Sequence, residues 1–378
     1  MSTPAVANPA TLRISSPGRI NLIGEHIDYN GGHVLPAAID KRITLDFKEL
    51  KGDTLYIHSL DHDQSMQTPL GTYRVSQIEW ENYILGVLYF IDRLRPKVIG
   101  AFECRISSQL PSGSGLSSSA ALTCGLAKGL NELFELELTD LQIMEVAQKA
   151  EHEFVGTQCG IMDQFSVVKG QKNTLILLNC QDRNFSYIPA HFEPYKVVLL
   201  NTNVAHHLAS SEYNVRREQC EQALAIINKS NKNFTYLCDV PLAALEQVRL
   251  ELSDELLEKA QYIIEENQRC LQASKALKDQ DLITFGALMY QSHYGLRDQY
   301  QVSCAELDFL VAVSEKLDTV VGSRMMGGGF GGCTINLVHE DAVDAFIEQA
   351  TRAYKDTFNT VLTPLVINIS DGVKQIQS

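Results

Sequence analysis

A loop of glycines and serines constrains the fold more than any other feature of this sequence. Residues 110–121 read Leu-Pro-Ser-Gly-Ser-Gly-Leu-Ser-Ser-Ser-Ala-Ala, and the residues that follow predict a helix over 120–130. Gly113 and Gly115 lack Cβ atoms, so the main chain can come close to a ligand there. The unpaired N–H groups and positive end of the following helix favour an anion. The pattern therefore indicates a phosphate-binding loop.

Three serines stand at the predicted start of that helix. Ser117, Ser118 and Ser119 supply hydroxyls directly behind the two glycines. A serine-capped helix after an ordinary glycine turn is the alternative interpretation, and it would explain one serine but not three. The stretch does not end in Gly-Lys-Ser/Thr, so it is not a Walker A loop.

Size and charge limit the kinds of partner. The chain has 378 residues, of which 45% are hydrophobic and 21% charged, as in ordinary globular proteins of one or two domains. Its formal net charge of −14 repels nucleic acid, which we exclude as a partner. An ATP site remains compatible with this charge, because local N–H groups and a metal ion can outweigh a diffuse negative field.

The cysteines and the apolar runs of the sequence indicate the cellular compartment. The nine cysteines contain no Cys-x-x-Cys pair, so they predict free thiols in a reducing compartment rather than disulfides or a zinc site. Residues 1–12 lack the basic and apolar regions of a signal peptide, and no apolar run is long enough to cross a bilayer. We expect a cytoplasmic protein without membrane contact, acting as a monomer.

Periodicity predicts an α+β fold, since strands and helices alternate without a βαβ rhythm. The predicted strands are 42–47, 54–59, 101–107, 174–179, 196–201 and 333–338. The predicted helices, besides 120–130, are 80–94, 140–155 with Thr139 as N-cap, 211–229, 253–278 and 282–300. A polar stretch over 181–194 without periodicity marks a domain boundary, which divides the chain into 1–185 and 186–378.

A second segment, residues 18–33, concentrates polar groups between glycines. It contains Arg19, Glu25, His26 and Asp28, anchored by apolar neighbours. Such groups are costly to bury unless they pair or meet a ligand. A sugar is a suitable ligand, because its hydroxyls need carboxylate acceptors and imidazole or amide donors. A solvated loop is the alternative, which the apolar neighbours disfavour.

A third segment, residues 151–165, carries two carboxylates. Glu151 near a helix end could face solvent, or it could join Ser119 in reaching a magnesium ion bound to a nucleotide, since Mg²⁺ needs only one or two protein oxygens beside phosphates. Asp163 lies among apolar residues and is either structurally paired or chemically active; the sequence favours neither.

Two other polar pairs are interpreted as surface groups. The adjacent His206 and His207 would point to opposite faces of a strand and rarely share one metal ion. Arg216 and Arg217 follow a helix start and are expected on a solvated face.

Together these segments resemble the galactokinase family, within the kinases named for galactose, homoserine, mevalonate and phosphomevalonate. Residues 18–32 resemble the signature of that family, and 113–121 resemble its phosphate loop. Residues 324–334, with five glycines, resemble its third motif. The similarity extends from about residue 13 to near the C-terminus, with shorter matches at 80–83, 159–164 and 210–220.

The resemblance implies a two-lobed α+β fold, with the active site between an N-terminal lobe that holds the sugar segment and phosphate loop and a C-terminal lobe that holds the third motif. It implies ATP, Mg²⁺ and phosphorylation of α-D-galactose at the anomeric hydroxyl. The implied phosphate-loop residues are Gly113, Ser114, Gly115, Leu116, Ser117, Ser118 and Ser119. The implied sugar ligands are Glu25, His26, Asp28, Gly160, Asp163 and Tyr213.

The same resemblance implies the catalytic groups. Asp163 matches the catalytic base of the family and Arg19 its catalytic arginine, while Ser119 and Glu151 match its magnesium ligands. Phosphoryl transfer needs alignment and charge neutralisation more than covalent help, and these residue types provide both.

Three other functions are weighed against this one. A kinase for N-acetylgalactosamine would use the same motifs with more room near C2 of the sugar. A galactose sensor without activity is disfavoured, because the serine–alanine run after Gly115 is complete and both Arg19 and Asp163 are present. A mevalonate-type kinase would leave the polar groups of residues 25–29 without a task.

Overall fold

We describe a computed structural model of the chain over residues 12–111, 113–205, 209–229 and 233–377. The pair His206–His207 of the sequence analysis lies outside these ranges. No helix within them is long and apolar enough to cross a membrane.

Strands and helices are distributed along the whole described chain. The strands are β1 Leu12–Asn21, β2 His33–Val34, β3 Pro36–Glu49, β4 Thr54–Ser59, β5 Gln64–Pro69, β6 Phe102–Ser108, β7 Thr174–Asn179, β8 Phe185–Pro189, β9 Tyr195–Ala205, β10 Val320–Met326, β11 Gly331–His339, β12 Thr363–Ile367 and β13 Lys374–Ile376. The helices are α1 Glu79–Leu94, α2 Ser118–Leu133, α3 Asp140–Ala150, α4 Met162–Lys169, α5 Ala209–Asn228, α6 Leu242–Gln247, α7 Asp254–Lys278, α8 Leu282–Tyr294, α9 Ala305–Ser314 and α10 Val343–Phe358.

Three sheets organise these elements. The largest has the strand order β13-β1-β3-β6-β4-β5, in which only β4 and β6 pair in parallel. A four-stranded antiparallel sheet has the order β10-β11-β9-β12, and a small one joins β2, β7 and β8. The mixture of sheets and helices confirms the predicted α+β class.

Close packing of α2 on the large sheet fixes where the phosphate loop ends. A Cβ added at Gly129 would lie 2.2 Å from the ring of Phe47, and one at Gly125 would lie 2.9 Å from Cβ of Ser16. Two bare glycines therefore let the helix approach β1 and β3 at a distance that no side chain would permit. The start of α2 is held beside the end of β1.

The hydrophobic core is continuous through most of the molecule. One cluster includes Leu22 from the N-terminal part together with Ile263 and Met325 from the C-terminal part. A smaller cluster fills the space between the four-stranded sheet and the helices α9 and α10. The predicted division of the chain at residues 185 and 186 stays a prediction, and the C-terminal strand β13 pairs with β1.

Several predicted elements differ in detail. The helices predicted over 140–155 and 282–300 both change to a single π-helical turn near their ends, at Glu151–Val155 and Gly295–Gln299. The stretch 181–194 is not wholly irregular, because β8 lies within it and pairs with β7. Thr139 is the N-cap of α3 as predicted, and its side chain accepts from the N–H of Gln142.

Candidate active site

The predicted chemical residues meet in one cleft of about 150 Å³. The cleft is lined by Arg19, Glu25, His26, Asp28, Ser119, Glu151, Thr157, Cys159, Met162, Asp163, Tyr213, Gly327 and Gly328. Residues separated by up to about three hundred positions in sequence thus contribute to one surface, which is the arrangement expected of an active site.

Arg19 lies near the end of β1 and joins two other segments. Its Nε donates to Oδ1 of Asp163 at 2.7 Å, and its Nη1 donates to the carbonyl of Gly115. The main-chain N–H of Arg19 donates to the carbonyl of Leu116 at 3.0 Å. Burial opposes the charge of Arg19, but the carboxylates of Asp163, Glu25 and Asp28 outweigh it and raise the pKa of the guanidinium.

Asp163 lies in the first turn of α4, where the helix dipole favours a carboxylate. One carboxylate oxygen accepts from Arg19, and the other accepts from the hydroxyl of Ser117 at 2.5 Å. Each oxygen keeps a further lone pair for a ligand. Asp163 is therefore both structurally paired and part of the cleft wall, so the two interpretations left open by the sequence are compatible.

The turn after β1 is fastened to the glycine-rich motif at the end of β10. The N–H of Gly327 donates to Oε1 of Glu25 at 2.8 Å, and the ring of His26 donates to the carbonyl of Gly328 at 3.1 Å. His26 has a left-handed backbone with φ of 63°. The side chains of Glu25 and His26 are thereby held at the cleft.

The protonation of His26 follows from its partners. A carbonyl only accepts, so Nε2 carries the proton toward Gly328, and Nδ1 accepts from the hydroxyl of Tyr29 at 2.8 Å. The hydroxyls of Tyr29 and Tyr300 are 2.8 Å apart and continue the chain of hydrogen bonds. Burial is the main reason that the pKa of His26 falls to about 3, so the ring is neutral.

Asp28 lies against Gly160, whose missing side chain makes room for it. A Cβ at Gly160 would lie 2.1 Å from Oδ2 of Asp28. Burial first, and then the negative charge of Asp163, raise the pKa of Asp28 to about 7. The ring of Tyr213 in α5 closes this side of the cleft, with its centroid 5.1 Å from that of His26.

The phosphate loop has left-handed backbone at three positions. Gly113, Gly115 and Ser117 have φ of 67°, 73° and 56°. The hydroxyl of Ser117 does not cap α2, because it donates to Asp163 instead. The first N–H groups of α2 therefore have no side-chain cap, which leaves them for an anion.

The side chains of Ser114 and Leu116 are buried within this loop and do not face a ligand. The Ser114 hydroxyl donates to the carbonyl of Pro111 at 2.7 Å, which stabilises the turn. Their contribution to an anion site would come from the main chain.

Ser119 and Glu151 form the candidate metal site. The Ser119 hydroxyl donates to Oε2 of Glu151 at 3.1 Å, and the Gln164 amide donates to Oε1 at 2.8 Å. Burial raises the pKa of Glu151 to about 7, and the charge of Asp163 adds to this. Hydroxyl and carboxylate oxygens are donors that suit Mg²⁺. In the described ranges no three His, Cys, Asp or Glu side chains are placed so that they could hold a metal ion together, so such an ion would take further ligands from a nucleotide and water.

A second cavity of about 310 Å³ adjoins the cleft and was not predicted. It shares Ser119 with the cleft and is lined by Ile43, Ser59, Asp61, His62, Trp80, Tyr83, Ile106, Ser108, Leu110, Ser118, Ser119 and Leu122. Helical spacing assigned the segment around Trp80 to the core. The sequence signal for a cavity was the pair Trp80 and Tyr83 on one side of α1, three residues apart.

The expectation of a solvated face was wrong for Arg216, whereas Arg217 is half-exposed and pairs with the exposed Glu221. Arg216 is buried, and it donates to the carbonyls of Tyr300 and Gln301 at 2.9 and 3.0 Å. Arg217 donates to the carbonyl of Gln158 at 2.8 Å. The Arg216 guanidinium binds main-chain carbonyls that follow the π-helical turn Gly295–Gln299. No local sequence pattern around Arg216 reveals this contact.

Comparisons with known proteins agree on one family. The model of the GHMP kinases N terminal domain matches residues 82–171, that of the galactokinase galactose-binding signature matches 6–47, and that of the GHMP kinases C terminal domain matches 273–356. The chain is 40% identical over 370 residues to a galactokinase of Clostridium beijerinckii, with 96% of this chain and 94% of the relative covered. A galactokinase of Thermotoga maritima is 38% identical over 366 residues, with coverages of 97% and 100%.

Solved structures show the same similarity. The galactokinase of Lactococcus lactis complexed with galactose has a TM-score of 0.93 and 32% identity, covering 97% of this chain and 95% of that chain. A mevalonate kinase with a TM-score of 0.66 and 22% identity shares the fold.

The raised pKa of the buried Asp28 carboxyl predicts that the stability of the ligand-free protein depends on pH. The folded carboxyl keeps its proton up to about pH 7, whereas the unfolded one loses it near pH 4, so stability falls as pH rises between these values. We expect the wild type to lose on the order of 3 kcal/mol of unfolding free energy over this range through Asp28, and Asp28→Asn to abolish that loss. Urea unfolding of the ligand-free protein at pH 5 and pH 8 measures it.

The exposed Asp140, paired with Lys169, provides the matched control. We expect Asp140→Asn to leave the difference between the two pH values as in the wild type. An Asp28→Asn protein with an unchanged difference would contradict the effect of burial on Asp28.

Proposed function

This chain belongs to the galactokinase family and catalyses ATP-dependent phosphorylation of galactose, and we propose that the phosphoryl group passes to the anomeric hydroxyl of α-D-galactose beside Asp163. The products are α-D-galactose 1-phosphate and ADP. One observation carries the assignment: the Arg19–Asp163 pair lines the polar cleft, and at Ser119 in the uncapped start of α2 this cleft adjoins the second cavity.

Galactose occupies the polar cleft in this proposal. Asp28 and Glu25 accept hydrogen bonds from sugar hydroxyls, and Gly160, which leaves the space that the Asp28 carboxylate fills, contributes main-chain groups beside them. His26 and Tyr213 form the aromatic wall. Support comes from the burial of these groups at one cleft, where carboxylates would be costly without a ligand to pair with.

The phosphates of ATP bind at the phosphate loop. The main-chain N–H groups from Gly113 to Ser119 and the positive end of α2 stabilise negative charge, because no side chain caps this helix. Ser119 and Glu151 would hold Mg²⁺, which when bound neutralises phosphate charge during the transfer. The Ser119 hydroxyl oxygen and Oε2 of Glu151, which are 3.1 Å apart, support this assignment.

Asp163 acts on the acceptor hydroxyl. Its carboxylate, fixed by Arg19 and Ser117, orients the anomeric hydroxyl and accepts its proton. The Arg19 guanidinium stays charged and stabilises negative charge that develops between the hydroxyl and the terminal phosphate. Catalysis then depends on fixed positions and on charge neutralisation rather than on a covalent intermediate.

The base of ATP occupies the second cavity. Six of its twelve lining residues are apolar or aromatic and most of its wall surface is apolar, and it adjoins the phosphate loop through Ser118 and Ser119. A flat aromatic base fits between such walls better than a sugar does. Trp80, the sole tryptophan of the sequence, lines it.

Location and assembly complete the proposal. All nine cysteines are free thiols, and Cys159 lines the cleft, which supports a reducing cytoplasm. Activity as a monomer, without a nucleic-acid or membrane partner, stays a prediction.

A coupled ADP-release assay tests the function. With magnesium ATP, we expect kcat/KM for galactose to exceed that for glucose about 100-fold, because a misplaced hydroxyl leaves buried polar groups unpaired. N-acetylgalactosamine and mevalonate are measured alongside. If N-acetylgalactosamine were turned over as fast as galactose, the acceptor would have to be reassigned. If none of the four compounds led to ADP release, the protein would be a sensor rather than a kinase.

Replacement of Asp163 tests the catalytic assignment. We expect Asp163→Ala to lower kcat at least about 100-fold, since a positioned base contributes at least that much. Asp163→Asn, which keeps the shape but cannot accept the proton, should lose a similar amount. Steady-state kinetics with a circular dichroism check measure both. The exposed Asp140→Ala is the control, and near-normal turnover of the Asp163 variants would remove this residue from the mechanism.

Trp80 reports on the nucleotide cavity. We expect magnesium ATP to change the intrinsic fluorescence of Trp80, and galactose alone to leave it nearly unchanged, because the indole lines only the second cavity. Trp80→Ala should raise KM for ATP about tenfold through lost stacking while KM for galactose stays the same. A fluorescence response to galactose but not to ATP would contradict the assignment.

A further inference from the structure

Arg324 is a buried cation that the mechanism above does not use. It lies in β10, three residues before the glycine run that begins at Gly327, and its side chain has no exposed surface. Its Nη1 donates to the main-chain carbonyl of Asn21 at 3.0 Å. The same nitrogen lies 3.4 Å from Oε1 of Glu25. Arginine cannot lose its proton in a protein, so the charge persists in the interior.

The carboxylate of Glu25 is the anionic partner of this cation within the described residues. Nε and Nη2 of Arg324 have no hydrogen-bond partner there. A buried charge with so few partners is costly and is not what stability alone would select. The contacts of Arg324 therefore indicate a role beyond stability. Both go to the turn that leads from β1 into the cleft, at Asn21 and Glu25.

Glu25 divides its two oxygens between the protein and the cleft. Oε1 accepts from the N–H of Gly327 at 2.8 Å and faces Arg324. Oε2 makes no hydrogen bond with any described residue, although Glu25 lines the cleft. One oxygen is thus held in place and the other is left as an acceptor for a ligand hydroxyl.

We propose that Arg324 is a positioning residue for galactose, which fixes the side chain of Glu25 so that its second oxygen accepts a sugar hydroxyl. This rests on the proposed function of Glu25 as a sugar ligand. Arg324 does not touch the substrate. It acts through Oε1 of Glu25, and its hydrogen bond to the carbonyl of Asn21 holds the guanidinium at the root of the turn. Its effect is on galactose binding rather than on phosphoryl transfer.

A double-mutant cycle tests the proposal in the full-length protein. The variants are Arg324→Met, Glu25→Gln and their combination, and the readouts are kcat and the KM values for galactose and ATP. We expect Arg324→Met to raise KM for galactose about tenfold, as for loss of one charged hydrogen bond, with kcat within about threefold and KM for ATP unchanged. The double variant should be no worse than Glu25→Gln alone, because Arg324 acts through Glu25.

Two further variants separate positioning from folding. Arg324→Lys keeps the charge, and we expect it to recover most of the loss in KM. Arg42→Met is the matched control, since the Arg42 guanidinium donates to the main-chain carbonyls of Ser15 and Gly372 without reaching the cleft. Arg42→Met should leave both KM values unchanged.

The outcomes distinguish this inference from the function on which it rests. An unchanged KM for galactose in Glu25→Gln would overturn the sugar role of Glu25 and the inference with it. A raised KM in Glu25→Gln together with additive losses in the double variant would overturn the inference alone. Failure of both Arg324 variants to fold, while Arg42→Met folds, would assign Arg324 a structural role and overturn it too.

Discussion

The contact between Arg19 and Asp163 is the interaction on which the cleft depends. Arg19 is carried by β1 and Asp163 by α4, and the same guanidinium also binds the carbonyl of Gly115. Three parts of the chain, far apart in sequence, are thereby fixed relative to one another. The cation also lies among the carboxylates of Glu25 and Asp28, so it makes a concentration of negative side chains tolerable before any ligand binds.

Glycine main chain lets the motifs meet at this place. A Cβ on Gly327 would lie 3.3 Å from the carbonyl of Gly115, and a Cβ on Gly160 would overlap the carboxylate of Asp28. The phosphate loop and the third motif therefore touch backbone to backbone, and side chains from other segments occupy the space that remains. This explains why glycines recur in the turn after β1, the phosphate loop, the segment before α4 and the third motif.

The sequence predicted the cleft better than the surrounding structure. Dense polar groups in residues 18–33 and the glycine–serine loop are local signals, because ligand chemistry requires particular residue types at short spacing. The cavity beside Trp80 was less predictable, since apart from the pair Trp80 and Tyr83 its walls come from separate strands and helices. The burial of Arg216 also depends on carbonyls freed by a π-helical turn about eighty residues away, and periodicity does not show where a helix widens.

The continuous hydrophobic core has a consequence for how such a chain can change over time. Because Leu22 and Met325 belong to one cluster, neither half of the molecule carries a complete interior of its own. Recombination with a related gene would exchange half of a packed interface and leave the other half mismatched. New substrate preferences are therefore expected to arise by single replacements around the sugar, on an unchanged frame, rather than by transfer of an intact module.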